Sequence, residues 1–147
     1  MIDIEEQYEK IYRYCYYRLR DPQRAEDVTQ ETFLRYFASD SYRNTGQVLH
    51  YLYTIARHLC VDEFRRPVSE PLPEALPSGE DLLTHLAVQA ALEQLAEDDR
   101  ELVLLRYGNE VPMGVLCRLY GVSRFALYRR LQRILKQLKT ALKEDDP

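Results

Sequence analysis

The stretch GVSRFALYRRLQRILKQLKTALK, residues 121–143, contains seven basic residues and no acidic residue, although the 147-residue chain has a formal net charge of −4. On a helical wheel of about 100° per residue, its apolar side chains share one side; they are Leu127, Leu131, Ile134, Leu135, Leu138 and Leu142. The opposite side carries Arg129, Arg133, Lys136 and Lys143. The stretch therefore predicts an amphipathic helix that packs its apolar side on a core and turns its basic side towards an anionic partner.

The residues before this helix predict a tight turn onto a second helix. Pro112 precedes the short apolar stretch MGVLCRLY, Gly121 stands where a left-handed turn residue is needed, and Ser123 is a suitable N-cap. A short helix, a tight turn and a longer basic helix form the helix-turn-helix layout. In that motif the N-terminal turns of the second helix face the base edges in the major groove of DNA.

Several polyanions could meet the basic helix: duplex DNA, an anionic membrane or an acidic protein. A membrane-surface helix needs no preceding turn, and an ordinary solvated helix mixes acidic with basic residues. Duplex DNA is therefore the favoured partner. The first turns of the helix present Tyr128, Arg129, Gln132 and Arg133, and arginine pairs well with guanine while glutamine pairs well with adenine.

The rest of the chain also follows a helical period. Apolar residues at helical spacing predict one helix over residues 4–19, a second from Pro22 to about Phe37 with Asp21 as its cap, and a third over residues 49–66. Further helices are predicted from residue 83 onward, one of them capped by Asp98 with Glu101 three residues later. No segment has the alternation of a β-strand, so the predicted fold class is all-α.

A proline-rich acidic linker divides the chain into two small helical domains. Four of the seven prolines lie within residues 67–77, where a helix is excluded. We therefore expect a first domain over residues 1–66, a linker over residues 67–81, and a helix-turn-helix domain over residues 82–147. Residues 67–99 hold eight acidic and no basic residues, so we expect this segment to lie near the basic helix and to weaken DNA binding by the free protein.

Other function classes find little support. The three cysteines are far apart and form no CxxC pair, and no apolar run approaches the ~18 residues of a membrane span. The N-terminus is acidic and polar, unlike a signal peptide. There is no glycine-rich phosphate loop and no HExxH motif, and the three histidines lack metal-ligand spacing. We expect a cytoplasmic protein without a catalytic site, metal or cofactor, and without insertion into a membrane.

Three stretches carry a resemblance to a known family. They are AEDVTQETFLRYF at residues 25–37, HYLYTIARHLCVDEFRR at residues 50–66, and LEQLAEDDRELVLLRY at residues 92–107, followed by the helix-turn-helix. In this order, and with the linker between them, they resemble bacterial RNA polymerase sigma factors of the extracytoplasmic-function type. The resemblance covers nearly the whole chain.

The resemblance implies a role for each domain. The first domain would dock on core RNA polymerase through one face of the second helix, formed by Asp27, Gln30, Glu31 and Leu34. The third helix and the preceding loop would capture the unstacked strand of the minus-ten promoter element through Tyr42, Arg43, Tyr51, Tyr53, Arg57 and His58. The second domain would bind the minus-thirty-five element through Arg124, Tyr128, Arg129, Arg130, Gln132, Arg133 and Lys136. In this family an anti-sigma factor is a further candidate partner.

The chain departs from the family pattern at several positions. Tyr51 stands where the family usually has tryptophan, and His58 where it usually has asparagine. The pair Phe125–Ala126 replaces a usual Gly-Thr, and the usual acidic residues are missing at residues 113–115. These differences indicate a divergent subgroup, so the promoter sequence is not carried over from the family.

Two other functions remain as alternatives. A DNA-binding transcription regulator would use only the helix-turn-helix, would usually dimerise, and would leave residues 1–66 as an effector or dimerisation module. A helical adapter for protein–protein interaction would make no DNA contact at any salt concentration. Binding to core RNA polymerase separates a sigma factor from both.

Overall fold

The residues that the structure describes form seven α-helices and one π-helical turn. The computed structural model describes residues 3–39, 47–65 and 80–144, with side chains for residues 87–143 in the last range. The elements are α1 (Ile4–Leu19), α2 (Pro22–Ala38), α3 (Val48–Phe64), α4 (Glu80–Glu93), α5 (Glu97–Val103), the π turn (Leu104–Gly108), α6 (Met113–Tyr120) and α7 (Arg124–Glu144). These ranges contain no strand, which confirms the all-α prediction.

The first lobe consists of α1, α2 and α3, packed against one another. Asp21 caps α2 as predicted, because its Oδ1 accepts a hydrogen bond of 3.0 Å from the backbone N–H of Gln23, and Pro22 occupies the first helical position. Asp3 caps α1 in the same way. The inward faces bury a continuous apolar core that includes Ile11, Tyr14, Cys15, Ala25, Val28, Phe33, Leu52, Ala56 and Cys60.

The second lobe runs from α4 to α7. The predicted cap of α5 is wrong: the helix begins at Glu97, with Ala96 as N-cap and no side-chain capping bond. Asp98 therefore lies in the first turn and is exposed, while Glu101 points into the protein. The π turn is wider than an α-helical turn, because the N–H of Asn109 donates to the carbonyl oxygen of Leu104, five residues earlier.

The helix-turn-helix has the predicted geometry. Gly121 ends α6 in the left-handed region, with φ 66° and ψ 38°. The Oγ of Ser123 then accepts a 3.1 Å hydrogen bond from the N–H of Ala126, which caps α7. A tight turn thus places α6 directly before the basic helix.

The apolar side of α7 is narrower than predicted. Leu127, Leu131 and Ile134 are buried, but Leu135 and Leu142 are exposed, which corrects their assignment to the core. The buried arc is rotated towards Ile134 because α7 packs against α4, α5 and α6 from that side. The two exposed leucines lie beyond the edge of this contact.

The two lobes pack on each other and share one continuous apolar core. Asn109 joins them, because its Nδ2 donates to the carbonyl oxygen of Lys10 at 2.8 Å and to the hydroxyl of Tyr53 at 3.0 Å. Arg13 donates to the carbonyl oxygen of Gly108 at 3.0 Å.

The predicted linker lies outside the described residues up to residue 79, and α4 begins at Glu80. None of the helices in the described ranges is long and apolar enough to cross a membrane.

Candidate nucleic-acid interface

The outward face of α7 presents the predicted DNA-contacting residues to solvent. The exposed members are Arg124, Tyr128, Arg129, Gln132, Arg133 and Lys136. Arg129 and Lys136 lie opposite the buried Leu127 and Leu131, and all six side chains are open to solvent, so a partner can reach them without any change in the second lobe. Their contact with DNA stays a prediction.

Two arginines of this helix share one buried carboxylate. The Nε of Arg130 lies 2.8 Å from Oδ1 of Asp99, and the Nη2 of Arg133 lies 3.3 Å from Oδ2 of the same residue. The guanidinium of Arg130 also lies 5.3 Å from the ring centroid of Tyr120. Arg130 therefore ties α5, α6 and α7 together, which favours a structural role over the predicted contact with the minus-thirty-five element, whereas Arg133 is largely exposed and remains accessible.

Tyr53 on α3 is buried, which is incompatible with the predicted contact with single-stranded DNA. Its side chain has 0% exposure, its hydroxyl accepts the hydrogen bond from Asn109, and its ring meets Tyr14 edge-on at 5.9 Å. The physical reason is that this face of α3 packs on α1 and on the second lobe. In this arrangement Tyr53 cannot stack on a base, so its assignment to the minus-ten site is corrected.

Arg57, also predicted to contact the minus-ten strand, is held by the second lobe. Its Nη2 lies 3.1 Å from Oε1 of Glu101, and its Nη1 donates to the carbonyl oxygen of Leu119 at 3.1 Å. Its guanidinium lies 4.8 Å from the ring centroid of Tyr120, within range of a cation–π interaction. The arginine is thus engaged on three sides in this arrangement.

The other predicted minus-ten residues are more accessible or lie elsewhere. Tyr51 is half-buried and His58 is exposed on α3. Tyr42 and Arg43 lie outside the described residues. The structure therefore brings Arg57 and His58 together on one side of α3, with Tyr51 nearer its start.

A basic cleft of about 440 Å³ lies between α3 and α6. Its charged and titratable lining comprises Arg18, His50, Arg57, His58, Asp98 and Arg118. Burial lowers the pKa of His50 from its ordinary value of 6.5, and the positive charge of Arg118 lowers it further. The cleft combines residues from the two lobes, so its shape depends on their packing.

Glu101 has a central role in the contacts between the lobes that was not predicted from the sequence. This residue is 1% exposed and accepts hydrogen bonds from Tyr14 at 2.7 Å and from Tyr120 and Arg18, in addition to its contacts with Arg57. Burial raises the pKa of Tyr14 well above its usual value, and the carboxylate of Glu101 raises it further. One available signal was the position of Glu101 beside the apolar run of residues 102–105, where a lone carboxylate needs buried partners.

The predicted polymerase-docking face lies on the open side of α2. Asp27, Gln30 and Leu34 are exposed, and Glu31 is half-buried. Leu34 is 65% exposed, and the Oε1 of Glu31 pairs with the Nε of Arg35 at 2.9 Å. The face thus combines one exposed apolar side chain with polar and acidic ones, and its role in docking on the polymerase stays a prediction.

In the part of the chain that the structure describes, no cluster of histidine, cysteine or carboxylate side chains is arranged to hold a metal ion.

Comparison with protein families gives two matches in the order of the two lobes. Residues 4–68 match the model of sigma-70 region 2, and residues 85–138 match the model of sigma-70 region 4. The first match covers α1 to α3, and the second covers the helix-turn-helix and most of α7.

Two similar curated proteins are bacterial sigma factors. The chain is 28% identical to the ECF RNA polymerase sigma factor BldN of Streptomyces coelicolor, over 92% of this chain and 57% of that protein. It is 32% identical to the ECF RNA polymerase sigma factor SigW of Bacillus subtilis, over 74% of this chain and 57% of that protein. The chain therefore matches little more than half the length of these relatives.

A solved structure shares the fold. It is the sigma factor RpoE of Bartonella quintana in complex with the anti-sigma factor NepR, with a TM-score of 0.70 and 20% sequence identity. The match covers 94% of this chain and 92% of RpoE. Both lobes of the present structure are thus included in the shared fold.

Proposed function

Since this chain belongs to the sigma-70 family, of the extracytoplasmic-function type, we propose that it binds core RNA polymerase and directs it to specific promoters. The observation that carries the proposal is the exposed basic face of α7, which follows a tight turn after α6. A helix in this position can enter the major groove of duplex DNA. A sigma factor has no catalytic activity of its own, so the proposal assigns no enzyme activity to the chain.

The two lobes take different tasks in this proposal. Residues 82–147 bind the minus-thirty-five element through α7, with Arg129, Gln132 and Arg133 at the bases. Residues 1–66 dock on the polymerase through the open face of α2 and capture the minus-ten strand through α3, with residues 67–81 as linker. The polymerase works in the cytoplasm, so the protein acts there.

The packing of the lobes places a condition on this function. Arg57 is bonded to Glu101 and Leu119, so the second lobe covers part of the strand-capturing side of α3. We therefore expect the lobes to separate when the protein joins the polymerase. A partner that binds both lobes in their packed arrangement would prevent this, and an anti-sigma factor is the kind of partner that the complex of RpoE with NepR suggests.

Reconstitution with core RNA polymerase tests the proposal. We expect the protein to bind core and to produce discrete transcript starts that share one pair of upstream elements. Binding to a duplex operator without any binding to core would instead establish the alternative, a helix-turn-helix regulator that is not a sigma factor.

A pair of exposed leucines provides matched variants for the docking face. Leu34→Glu places a charge on the open face of α2, whereas Leu142→Glu places the same charge at the far end of α7. Both side chains are exposed, so neither change should disturb the core. We expect only Leu34→Glu to weaken capture of core polymerase in a pull-down without DNA, and equal effects would argue against docking through α2.

A further inference from the structure

Phe125 in the first turn of α7 is 71% exposed, the highest value among the large apolar side chains that the structure describes. It makes no contribution to the buried core. An aromatic side chain so open to water stabilises the fold little, since the hydrophobic effect scales with the apolar area removed from water. Its position is therefore better explained by something that the surface binds.

Phe125 belongs to the face of α7 that is turned away from the protein. With about 100° per residue, Phe125, Arg129, Gln132 and Lys136 fall within an arc of about 60°. This arc lies opposite the buried Leu127. The phenyl ring thus stands at the N-terminal end of the same stripe that the proposed function places in the major groove.

Arg129 and Phe125 are coupled. The guanidinium of Arg129 lies 5.7 Å from the ring centroid of Phe125, which is within range of a cation–π interaction. The contact restricts both side chains before any partner binds. Four residues of α-helix rise about 6 Å, close to two base-pair steps of about 3.4 Å each, so the two side chains can reach bases within two steps of each other.

The chemistry of the major groove suggests what each side chain recognises. Thymine is the only base that presents a methyl group there, and an apolar side chain such as phenylalanine contacts it. Arginine pairs with the two acceptors of guanine. We propose that Phe125 is a specificity-determining residue that contacts a thymine methyl group, next to a guanine bound by Arg129. This inference rests on the proposed function of α7 as the helix that binds the minus-thirty-five duplex.

Selection of duplex DNA from a random pool tests the proposal, with the full chain used both alone and in complex with core polymerase. We expect the wild-type protein to select thymine at one position close to a selected guanine. Phe125→Ala should lose the preference for thymine and keep the preference for guanine. Arg129→Ala should instead weaken the preference for guanine. Identical motifs from wild type and Phe125→Ala would overturn the proposal.

Replacement of single thymines by deoxyuridine provides the sharper measurement, because it removes only the methyl group. Burial of one methyl group corresponds to a change of about three- to fivefold in affinity. We expect one deoxyuridine to weaken binding of the wild-type protein by this factor and to have no effect on Phe125→Ala. Leu135→Ala, an exposed leucine of α7 outside the stripe, is the matched control and should keep the wild-type profile.

The outcomes separate this inference from the proposed function. A protein that initiates transcription with core polymerase but shows no sensitivity to deoxyuridine at any position retains the proposed function and loses this inference. Affinity for DNA could be insensitive to deoxyuridine at every position while Phe125 is needed for binding to another protein. That result would assign the ring to a protein partner instead. Phe125→Leu, which keeps an apolar group, should retain part of the deoxyuridine effect, and circular dichroism checks that each variant remains helical.

Discussion

The guanidinium of Arg57 on α3 lies 3.1 Å from the carboxylate of Glu101 on α5. This pair joins the two lobes at a point where Tyr14, Arg18 and Tyr120 also bond to the same carboxylate. Two arginines and two tyrosines thus depend on one acidic side chain that is almost fully buried. The packing of the lobes is therefore sensitive to the charge at this position.

Neutralising Glu101 should weaken the packing of the lobes. Glu101→Gln keeps the size of the side chain but leaves the guanidinium groups of Arg18 and Arg57 without their counter-charge. Removal of one partner of a buried ion pair costs about 3–5 kcal/mol, so we expect the free energy of unfolding in urea to fall by about that amount. Small-angle X-ray scattering should show a larger radius of gyration if the lobes separate before they unfold.

Glu93→Gln is the control for this experiment. Its carboxylate lies 4.0 Å from Arg20, also across the two lobes, but both side chains are about half exposed. Exposed pairs contribute about 0–1 kcal/mol, so the variant should unfold close to wild type. If Glu101→Gln behaves like Glu93→Gln, the network around Glu101 does not hold the lobes together.

Acidification should destabilise the protein partly through His50. Its pKa in the folded protein is below the ordinary 6.5 because of burial and the nearby Arg118. Below about pH 6.5 the unfolded chain then binds a proton more readily than the folded one, so stability falls as the pH decreases. His50 lines the cleft with Arg18, Arg57, Asp98 and Arg118, where an imidazolium adds to a surplus of positive charge.

Comparison of variants isolates this contribution. Between pH 7.5 and 5.5 the urea midpoint of His50→Gln should decrease less than that of wild type. Arg118→Gln should also reduce the decrease, because it removes the second cause of the shift. An unchanged pH dependence in both variants would assign the loss of stability to other groups.

Asp99 should restrain DNA binding in the free protein. Asp99→Asn removes the charge that pairs with Arg130 and Arg133, and Arg133 is 59% exposed. A pair of this kind contributes up to about 1 kcal/mol, so the affinity for duplex DNA at low salt should rise by up to about fivefold. Fluorescence anisotropy with a labelled duplex measures this change.

Glu97→Gln changes the net charge by the same amount and provides the comparison. Its carboxylate lies 3.6 Å from Arg18 of the first lobe rather than beside α7. We expect no gain in affinity for this variant. An equal gain in both variants would show that only net charge matters, and would remove the specific role of Asp99.

Gly121 should be needed for the turn between α6 and α7. Its φ of 66° is unfavourable for other residues, while a Cβ at this position would meet no atom within 4 Å. Gly121→Ala should therefore lower the free energy of unfolding by about 1 kcal/mol through backbone strain alone. Gly108→Ala also meets no atom and lacks a positive φ, so it should unfold near wild type; a loss as large as that of Gly121→Ala would contradict the explanation.

Local signals made the helix ends predictable from the sequence. Asp21 with Pro22 marked the start of α2, and Gly121 with Ser123 marked the turn before α7, because capping and left-handed turns depend on a few neighbouring residues. The exposed basic stripe followed from helical periodicity alone. These features needed no knowledge of the tertiary structure.

The contacts between the lobes could not be obtained in this way. Periodicity indicates which face of α3 is apolar, but it does not show that a second lobe covers Tyr53 and engages Arg57. The same limit explains Leu135 and Leu142, which share the apolar side of the wheel but lie beyond the contact with α4. The π turn depends on the packing around residues 104–108 and has no strong local signature.

The carboxylate of Asp99 also affects how the salt dependence of DNA binding should be interpreted. Binding to DNA normally releases about one condensed cation for every phosphate that a side chain neutralises. When Arg133 moves from Asp99 to a phosphate, however, the carboxylate of Asp99 keeps only Arg130 as its counter-charge and attracts cations from solution more strongly than before, so the two ion movements partly cancel. The slope of log affinity against log salt concentration should therefore give fewer phosphate contacts than this helix makes.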